Sequence, residues 1–119
     1  MKGQSNRQKK FNRMIQKELG ELFQQDFRLP AGVMLTVTGV TCSPDLQYVK
    51  VYLSFFPDEK SEEIMGLLED RKWEVRKILA SRIRNVVRFV PELNFFVDDS
   101  AQVAAEMDRL FDSLKKEEE

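Results

Sequence analysis

Apolar residues recur at steps of three and four positions in the first part of the chain. From Phe11 to Phe23 they form one stripe, which is the pattern of an amphipathic helix. Ser5 and Gln8 have the spacing of a capping box, in which each side chain bonds the backbone N–H of the other residue. The pattern predicts a first helix over about residues 5–24.

Two segments rich in β-branched residues follow, and apolar positions alternate with polar ones in both. In residues 33–42 the alternation changes parity at Gly39, which predicts a β-bulge. Residues 48–56 keep one apolar parity throughout. Because only a short turn separates the two segments, we predict an antiparallel hairpin that Pro57 ends.

A long helical pattern comes next, and its side chains indicate a bend. Ser61 is the expected N-cap of a helix that reaches about residue 86. On a straight helix Arg71 would lie inside the apolar stripe and Trp73 almost opposite it. A bend near residues 70–74 would change the register between the two halves and remove both anomalies, so we predict two helices. Their apolar stripe consists of Ile64, Leu67, Leu68, Val75, Ile78, Leu79, Ile83 and Val86.

Residues 90–97 predict a third strand, with Pro91 tolerated only near its start or at a sheet edge. The residues after it supply N-cap candidates for a last helix. We predict a single domain over residues 1–114 and an acidic, frayed tail over residues 115–119.

The predicted order of elements is α-β-β-α-kink-α-β, with an extra C-terminal helix on a three-stranded sheet, and it belongs to the α+β class. Without the last helix this is the order of the type II KH fold, so we predict a type II KH-like architecture. Such modules usually bind single-stranded RNA through a Gly-x-x-Gly loop between two central helices. No two of the five glycines have that spacing, so the usual RNA clamp is absent.

Composition excludes several kinds of chemistry. The chain has 119 residues, enough for one domain, and no histidine, which removes histidine-based catalysis and histidine metal ligands. Its one cysteine, Cys42, can form neither an internal disulfide nor a cysteine-rich zinc site and is expected to be a small buried hydrophobe. No apolar run approaches the roughly 20 residues of a membrane span. Since the N-terminus has no signal-peptide core, we expect a cytoplasmic protein.

The net charge of −1 conceals alternating blocks. Residues 1–17 hold six basic and no acidic residues, and residues 71–88 hold seven basic residues and one acidic residue. Residues 18–70 and 89–119 are acidic, with net charges of −7 and −6. Because salt screens exposed charges over about 8 Å, local blocks matter more than the total. Two basic blocks on helices are typical of a surface that binds phosphates.

The candidate RNA-binding residues come from these two basic blocks. Trp73 lies within the second block and offers a platform for base stacking. The competing interpretation is that the charges form solvated helix faces and that Trp73 packs in the core. The candidates are Arg7, Lys9, Lys10, Arg13, Lys17, Lys72, Arg76, Lys77, Arg82, Arg84 and Arg88.

No catalytic, metal-binding or cofactor-binding site is predicted. Asp45 follows a Ser-Pro pair and is explained as a turn residue. Asp98 and Asp99 precede a predicted helix, whose N-terminus explains them. A hydrolase would need a metal at Asp98 and Asp99. We therefore expect no enzyme activity, no cofactor and no small-molecule substrate.

An ordered series of short motifs resembles the ribosome-binding factor A family over about residues 6–114. The most specific piece, Arg88–Leu93, has the pattern Arg-x-Val-Pro-Glu-Leu and is followed by Phe95 and Asp98. The other pieces are Phe27–Leu29, Thr36–Val40, Ser43–Leu46, Val49–Ser54 and Val75–Arg76.

The resemblance implies a fold with a helix–kink–helix in place of the Gly-x-x-Gly loop, and a function without catalysis. It implies binding to the free small (30S) ribosomal subunit, assistance in late maturation of its 16S rRNA, and support of growth in the cold. The expected partners are therefore the small ribosomal subunit and its rRNA, with no membrane partner, and the protein is expected to be a monomer.

A second hypothesis remains open beside it. The chain could be a non-catalytic protein-interaction module that docks a partner through its charged terminal helices. Sucrose-gradient fractionation separates the two hypotheses, because a ribosome-binding factor migrates with free small subunits and an interaction module does not.

Overall fold

The computed structural model describes residues 3–98, which form three α-helices and a three-stranded sheet. The predicted last helix and the predicted domain limit at residue 114 lie outside these residues. The predicted α+β, type II KH-like order is confirmed. In chain order the elements are α1 (Asn6–Gln25), β1 (Met34–Cys42), β2 (Tyr48–Phe56), α2 (Ser61–Asp70), α3 (Lys72–Ile83) and β3 (Glu92–Val97).

α1 begins with the predicted capping box. The Gln8 backbone N–H donates to Ser5 Oγ at 3.1 Å, and the Ser5 N–H donates to Gln8 Oε1 at 2.9 Å. Gln8 is buried, and its Nε2 also donates to the Cys42 carbonyl at 3.1 Å, which ties the start of α1 to the end of β1. The apolar stripe of α1 packs against the sheet, so the polar face of the helix is left to solvent.

The sheet is mixed, with β2 in the centre. β1 pairs antiparallel with β2, as predicted, and β3 pairs parallel with β2. The register slips between Val37 and Gly39, which leaves Thr38 without a partner in the ladder and confirms the predicted bulge. Pro91 immediately precedes β3, where its missing N–H removes no ladder bond.

The predicted bend between the two central helices is confirmed at Arg71. Its backbone (φ −112°, ψ 21°) leaves the helical region and separates α2 from α3. The Arg71 guanidinium carbon lies 4.4 Å from the centroid of the Phe27 ring, and its Nε donates to Glu74 at 2.7 Å. The bend therefore gives the Arg71 charge partners within the protein.

Two predictions for this helix pair are wrong. Ser61 does not cap α2, because it is itself helical (φ −58°, ψ −43°) and its N–H bonds the Asp58 carbonyl in a short 3-10 turn that leads into the helix. Val86 does not belong to the buried stripe, because α3 ends at Ile83 and Val86 is 71% exposed.

One hydrophobic core lies between the sheet and the three helices. Its centre is on β2, where Val49, Val51 and Leu53 are inaccessible to solvent. Cys42 is buried as predicted, and burial raises the pKa of its thiol. Trp73 is 68% exposed, so the competing interpretation that it packs in the core is wrong.

Candidate nucleic-acid interface

The basic residues of α1 point away from the core. Because the apolar stripe faces the sheet, Arg7, Lys9, Lys10, Arg13 and Lys17 are all exposed. None of the five forms an ion pair within residues 3–98. Their charges are therefore available to an external anion.

The two basic blocks meet at one groove. It has a volume of about 360 Å³ and lies between the N-terminal half of α1 and the segment that follows α3. Arg7 and Lys10 come from the first block and Arg88 from the second, and Asp45 is the one acidic residue among the described residues that line it. The apolar part of the lining consists of Phe11, Met14, Leu46, Val86, Val87 and Phe89.

Two further depressions continue from this groove through shared lining residues. Phe89 lines both the groove and the first depression, which also contains Tyr48. Arg76 and the acidic Glu92 line both depressions, and the second also contains Lys72 and Trp73. We call this continuous surface the basic-aromatic track; its cations are Arg7, Lys10, Lys72, Arg76 and Arg88, and its aromatic residues are Tyr48, Trp73 and Phe89.

The aromatic side chains of the track are open to solvent. Phe89 is 69% exposed and Tyr48 is 52% exposed, beside the exposed Trp73. Exposed rings interleaved with cations are typical of surfaces that bind single strands, because bases stack on the rings while the cations pair with phosphates. Sequence reasoning missed Phe89 and Tyr48, although the position of Phe89 next to Arg88, outside any predicted element, was an available signal.

Arg76 joins α3 to the loop that carries Phe89. Its Nη2 donates to the Val90 carbonyl at 3.0 Å, and its Nε donates to the Pro91 carbonyl at 3.4 Å. A guanidinium has five N–H donors, so most of the Arg76 donors stay available after these two bonds. Arg76 thus holds the segment just after Phe89 and still presents its charge to solvent.

Arg82 differs from the other candidate residues. Its Nε donates to Glu18 at 2.8 Å, its Nη1 donates to Asp26 at 2.9 Å, and its Nη2 pairs with Glu21. The hydrogen bond to Glu18 raises the pKa of the guanidinium above its usual value. We call these four residues the Arg82 cluster. Because each guanidinium nitrogen bonds a carboxylate, Arg82 holds α3 against α1, and its positive charge is already neutralised by three carboxylates within the protein.

The remaining candidate cations are exposed outside the track. Lys77 lines a separate depression, and Trp73 lines that depression too. Lys9, Arg13, Lys17 and Arg84 line none of these depressions. The fold therefore brings five candidate cations together on the track, while the other five are exposed but do not line it.

The carboxylates singled out by the sequence have local partners. Asp45 accepts hydrogen bonds from the Ser43 hydroxyl at 2.6 Å and the Gln47 N–H at 3.1 Å, and the bond from Ser43 lowers its pKa, as befits a turn residue. Asp98 accepts a hydrogen bond from the Thr38 hydroxyl at 2.6 Å, whereas Asp99 lies outside the described residues.

Residues 3–98 contain no group of three or more carboxylate, thiol or imidazole side chains placed to hold a metal ion. In the same part of the chain, no helix is both long enough and apolar enough to cross a membrane.

Comparison with known proteins gives a consistent result. Residues 7–111 match the family model described as ribosome-binding factor A. A ribosome-binding factor A from Cytophaga hutchinsonii is 38% identical over 120 residues, covering 98% of this chain and 90% of that protein. Its counterpart from Christiangramia forsetii is 32% identical, covering 98% of this chain and 88% of that protein.

Solved structures agree with these sequence relatives. The crystal structure of ribosome-binding factor A from Thermus thermophilus has a TM-score of 0.60 at 28% identity, and the match covers 76% of this chain and 94% of that one. A homology model of the Thermus thermophilus factor, fitted into the cryo-EM map of a 30S–RbfA complex, has a TM-score of 0.61 at 26% identity and covers 74% of this chain and 91% of that one.

Proposed function

The chain belongs to the ribosome-binding factor A family, and on this premise we propose that it binds the free small (30S) ribosomal subunit and assists late maturation of its 16S rRNA. The partner is suggested by the Thermus thermophilus relative that was fitted into the map of a 30S complex. We propose further that the protein acts in the cytoplasm, as a monomer and without catalysis, and supports growth in the cold.

The observation that carries this proposal is the basic-aromatic track. Its cations come from both basic blocks and line one surface, with Arg7 and Lys10 on one side of the groove and Arg88 on the other. Phosphate contacts of this kind position a protein on nucleic acid, and exposed rings add stacking with unpaired bases. In this proposal Lys9, Arg13, Lys17, Lys77 and Arg84 extend the contact to neighbouring phosphates, and Arg82 stabilises the fold instead.

α2 carries the charge that opposes docking in other orientations. Glu62, Glu63, Glu69 and Asp70 are all exposed on this helix. Acidic side chains that face a phosphate backbone repel it and weaken binding, so a pose that brings α2 to the RNA is disfavoured. We therefore expect the track to face the subunit.

Co-sedimentation with purified small subunits tests the proposal. Reversing charge at the groove with Arg7→Glu, Lys10→Glu and Arg88→Glu is expected to abolish co-sedimentation. The control variant Arg28→Glu, Lys50→Glu, Lys60→Glu changes the net charge equally at exposed residues outside the track, and it should still bind. Unchanged co-sedimentation of the groove variant would contradict the proposal.

The interaction-module hypothesis predicts another distribution in a lysate. On a sucrose gradient the ribosome-binding protein migrates with free small subunits, whereas an interaction module stays at the top or moves with a single protein. The positively charged, aromatic character of the track favours the first outcome, since a protein-docking surface usually has few charges at its centre.

A further inference from the structure

We propose that the groove between α1 and the segment after α3 takes up one unstacked nucleotide of the bound RNA, with its base against the apolar wall and its phosphate at the cationic rim. This inference rests on the proposed function and makes it specific. In this inference the groove contacts a single base, and the rest of the track contacts the RNA strand.

The size and lining of the groove suit such a ligand. Its volume of about 360 Å³ falls at the lower end of the range for small-molecule sites, roughly 300–1,000 Å³. One wall is the side of α1, with the buried Phe11 and the half-buried Met14, and Val87 contributes from the segment after α3. The groove thus has room for one base against the apolar part of its lining, and is too small for a duplex.

Phe89 is the side chain placed to stack on that base. It is mostly exposed, as is Val86, so a large apolar surface meets water at the mouth of the groove. Burying such a surface against a base is favourable, and an aromatic ring adds stacking to the burial. The hydrogen bonds from Arg76 to the Val90 and Pro91 carbonyls hold the backbone next to Phe89, so the ring is presented from a fixed segment.

The charges around the groove favour a nucleotide over an acidic peptide. Arg7, Lys10 and Arg88 can bind a phosphate, while Asp45 adds an acceptor on the lining. A carboxylate there repels any anion placed beside it, but it can accept a hydrogen bond from the amino group of a base, a donor that an acidic side chain does not have. The Asp45 carboxylate is held in place by the Ser43 hydroxyl and the Gln47 N–H.

Two RNA probes of equal charge test the inference. One is an adenosine hexanucleotide, and the other is an abasic hexamer with the same number of phosphates. Phe89→Ala is expected to weaken binding of the adenosine hexamer by roughly tenfold, the effect of losing one stacked base, and to leave binding of the abasic hexamer unchanged. Phe96→Ala is the control, because Phe96 is also an exposed phenylalanine but lies on β3 outside the track.

A second variant distinguishes stacking of the base on an aromatic ring from simple apolar contact. Phe89→Leu keeps an apolar group at the groove but removes the aromatic face. If a base stacks there, Phe89→Leu loses affinity for the adenosine hexamer as Phe89→Ala does. Wild-type affinity in Phe89→Leu, or equal affinity of Phe89→Ala and wild type for the adenosine hexamer, would overturn the inference.

The failure of this inference can be told apart from failure of the proposed function. If Phe89→Ala binds the adenosine hexamer like wild type while the groove charge-reversal variant no longer binds small subunits, the nucleotide pocket is wrong and the ribosomal function stands. If wild-type protein does not bind purified small subunits, the proposed function itself is wrong. Thermal unfolding of each variant verifies that the fold is retained, which is expected because Phe89 is exposed.

Discussion

Arg82 and Arg88 belong to the same basic block of the sequence, but the fold surrounds them differently. Arg82 bonds Glu18, Glu21 and Asp26, whereas Arg88 lines an open groove and forms no ion pair within residues 3–98. A guanidinium whose nitrogens are matched by carboxylates holds two elements together, and one with unused donors can make a bidentate contact with phosphate. The partners of a basic residue, more than its place in a basic block, therefore indicate its function.

α1 is divided in the same way along its length. Its N-terminal part carries Arg7 and Lys10, which face the groove, and its C-terminal part carries Glu18 and Glu21, which bind Arg82. The acidic end neutralises one arginine of α3 and fixes the two helices against each other. The basic end stays uncompensated, so one helix serves both the fold and the proposed interface.

Neutralising the cations of the groove should produce the largest effect. Arg7→Gln, Lys10→Gln and Arg88→Gln together remove three phosphate contacts, each worth about 0.7 to 0.9 in the slope of log affinity against log salt. The slope for purified small subunits should therefore fall by about 2 to 3, with a loss of affinity of roughly a hundredfold in physiological salt. Titration at several salt concentrations measures both quantities.

The matched variant Arg28→Gln, Lys50→Gln, Lys60→Gln should keep the wild-type slope. If it loses as much affinity as the groove variant, net charge controls binding, and the distinction between the two regions does not hold.

Breaking the Arg82 cluster should instead reduce stability. Arg82→Met keeps much of the aliphatic stem but leaves three carboxylates without their shared partner, and we expect a loss of about 1–3 kcal/mol in the free energy of unfolding. Urea denaturation at fixed salt measures the loss. The control is Arg84→Met, an exposed arginine at the end of the same helix, which should change the unfolding free energy by less than about 0.5 kcal/mol. Equal stability of the two variants would contradict a structural function for the Arg82 cluster.

Arg71 should behave like a weaker version of Arg82. It lies over the Phe27 ring and pairs with Glu74, which is three residues away along the chain. A partly exposed cation–π contact contributes about 0.5–1 kcal/mol, so Arg71→Gln should lower the unfolding free energy by about that amount. Unchanged affinity of Arg71→Gln for small subunits would show that Arg71, like Arg82, serves the fold; lost affinity would show that it belongs to the RNA-binding surface.

The smallest effect concerns pH and comes from the core. Burial raises the pKa of the Cys42 thiol above its value in the unfolded chain. The protonated thiol therefore makes its full contribution to the unfolding free energy below the unfolded pKa of about 8.5, and this contribution is lost as the pH rises further. The pKa of Arg82 is also raised, so the Arg82 cluster keeps its guanidinium charged over this range. Replacing Cys42 by Ala should flatten this part of the pH dependence of urea denaturation, whereas Arg82→Met should leave its shape unchanged.

The elements of the fold were predictable because their signals are local. The Ser5–Gln8 capping box, the bulge next to Gly39 and the bend at Arg71 each depend on residues a few positions apart. The prediction that Ser61 caps a helix was wrong. The sequence does not reveal the 3-10 turn before α2, in which the Ser61 N–H bonds the Asp58 carbonyl and needs no side-chain cap.

The site was predictable only in part, because its residues meet through tertiary packing. The sequence supplied the two basic blocks, but the meeting of Arg7 and Lys10 with Arg88 requires the folded chain. The partners of Arg82 lie 56 to 64 positions away along the chain. Neighbouring residues in the sequence therefore could not show that Arg82 binds carboxylates of the protein and does not belong to the proposed interface.

The contrast between Arg82 and Arg88 is tested most directly by two single variants and two measurements. Arg82→Met and Arg88→Met are each assayed for the free energy of unfolding in urea and for affinity to purified small subunits under conditions where both are folded. We predict that Arg82→Met loses stability and keeps wild-type affinity, while Arg88→Met loses affinity and keeps wild-type stability. Equal losses of affinity in the two folded variants would contradict the account.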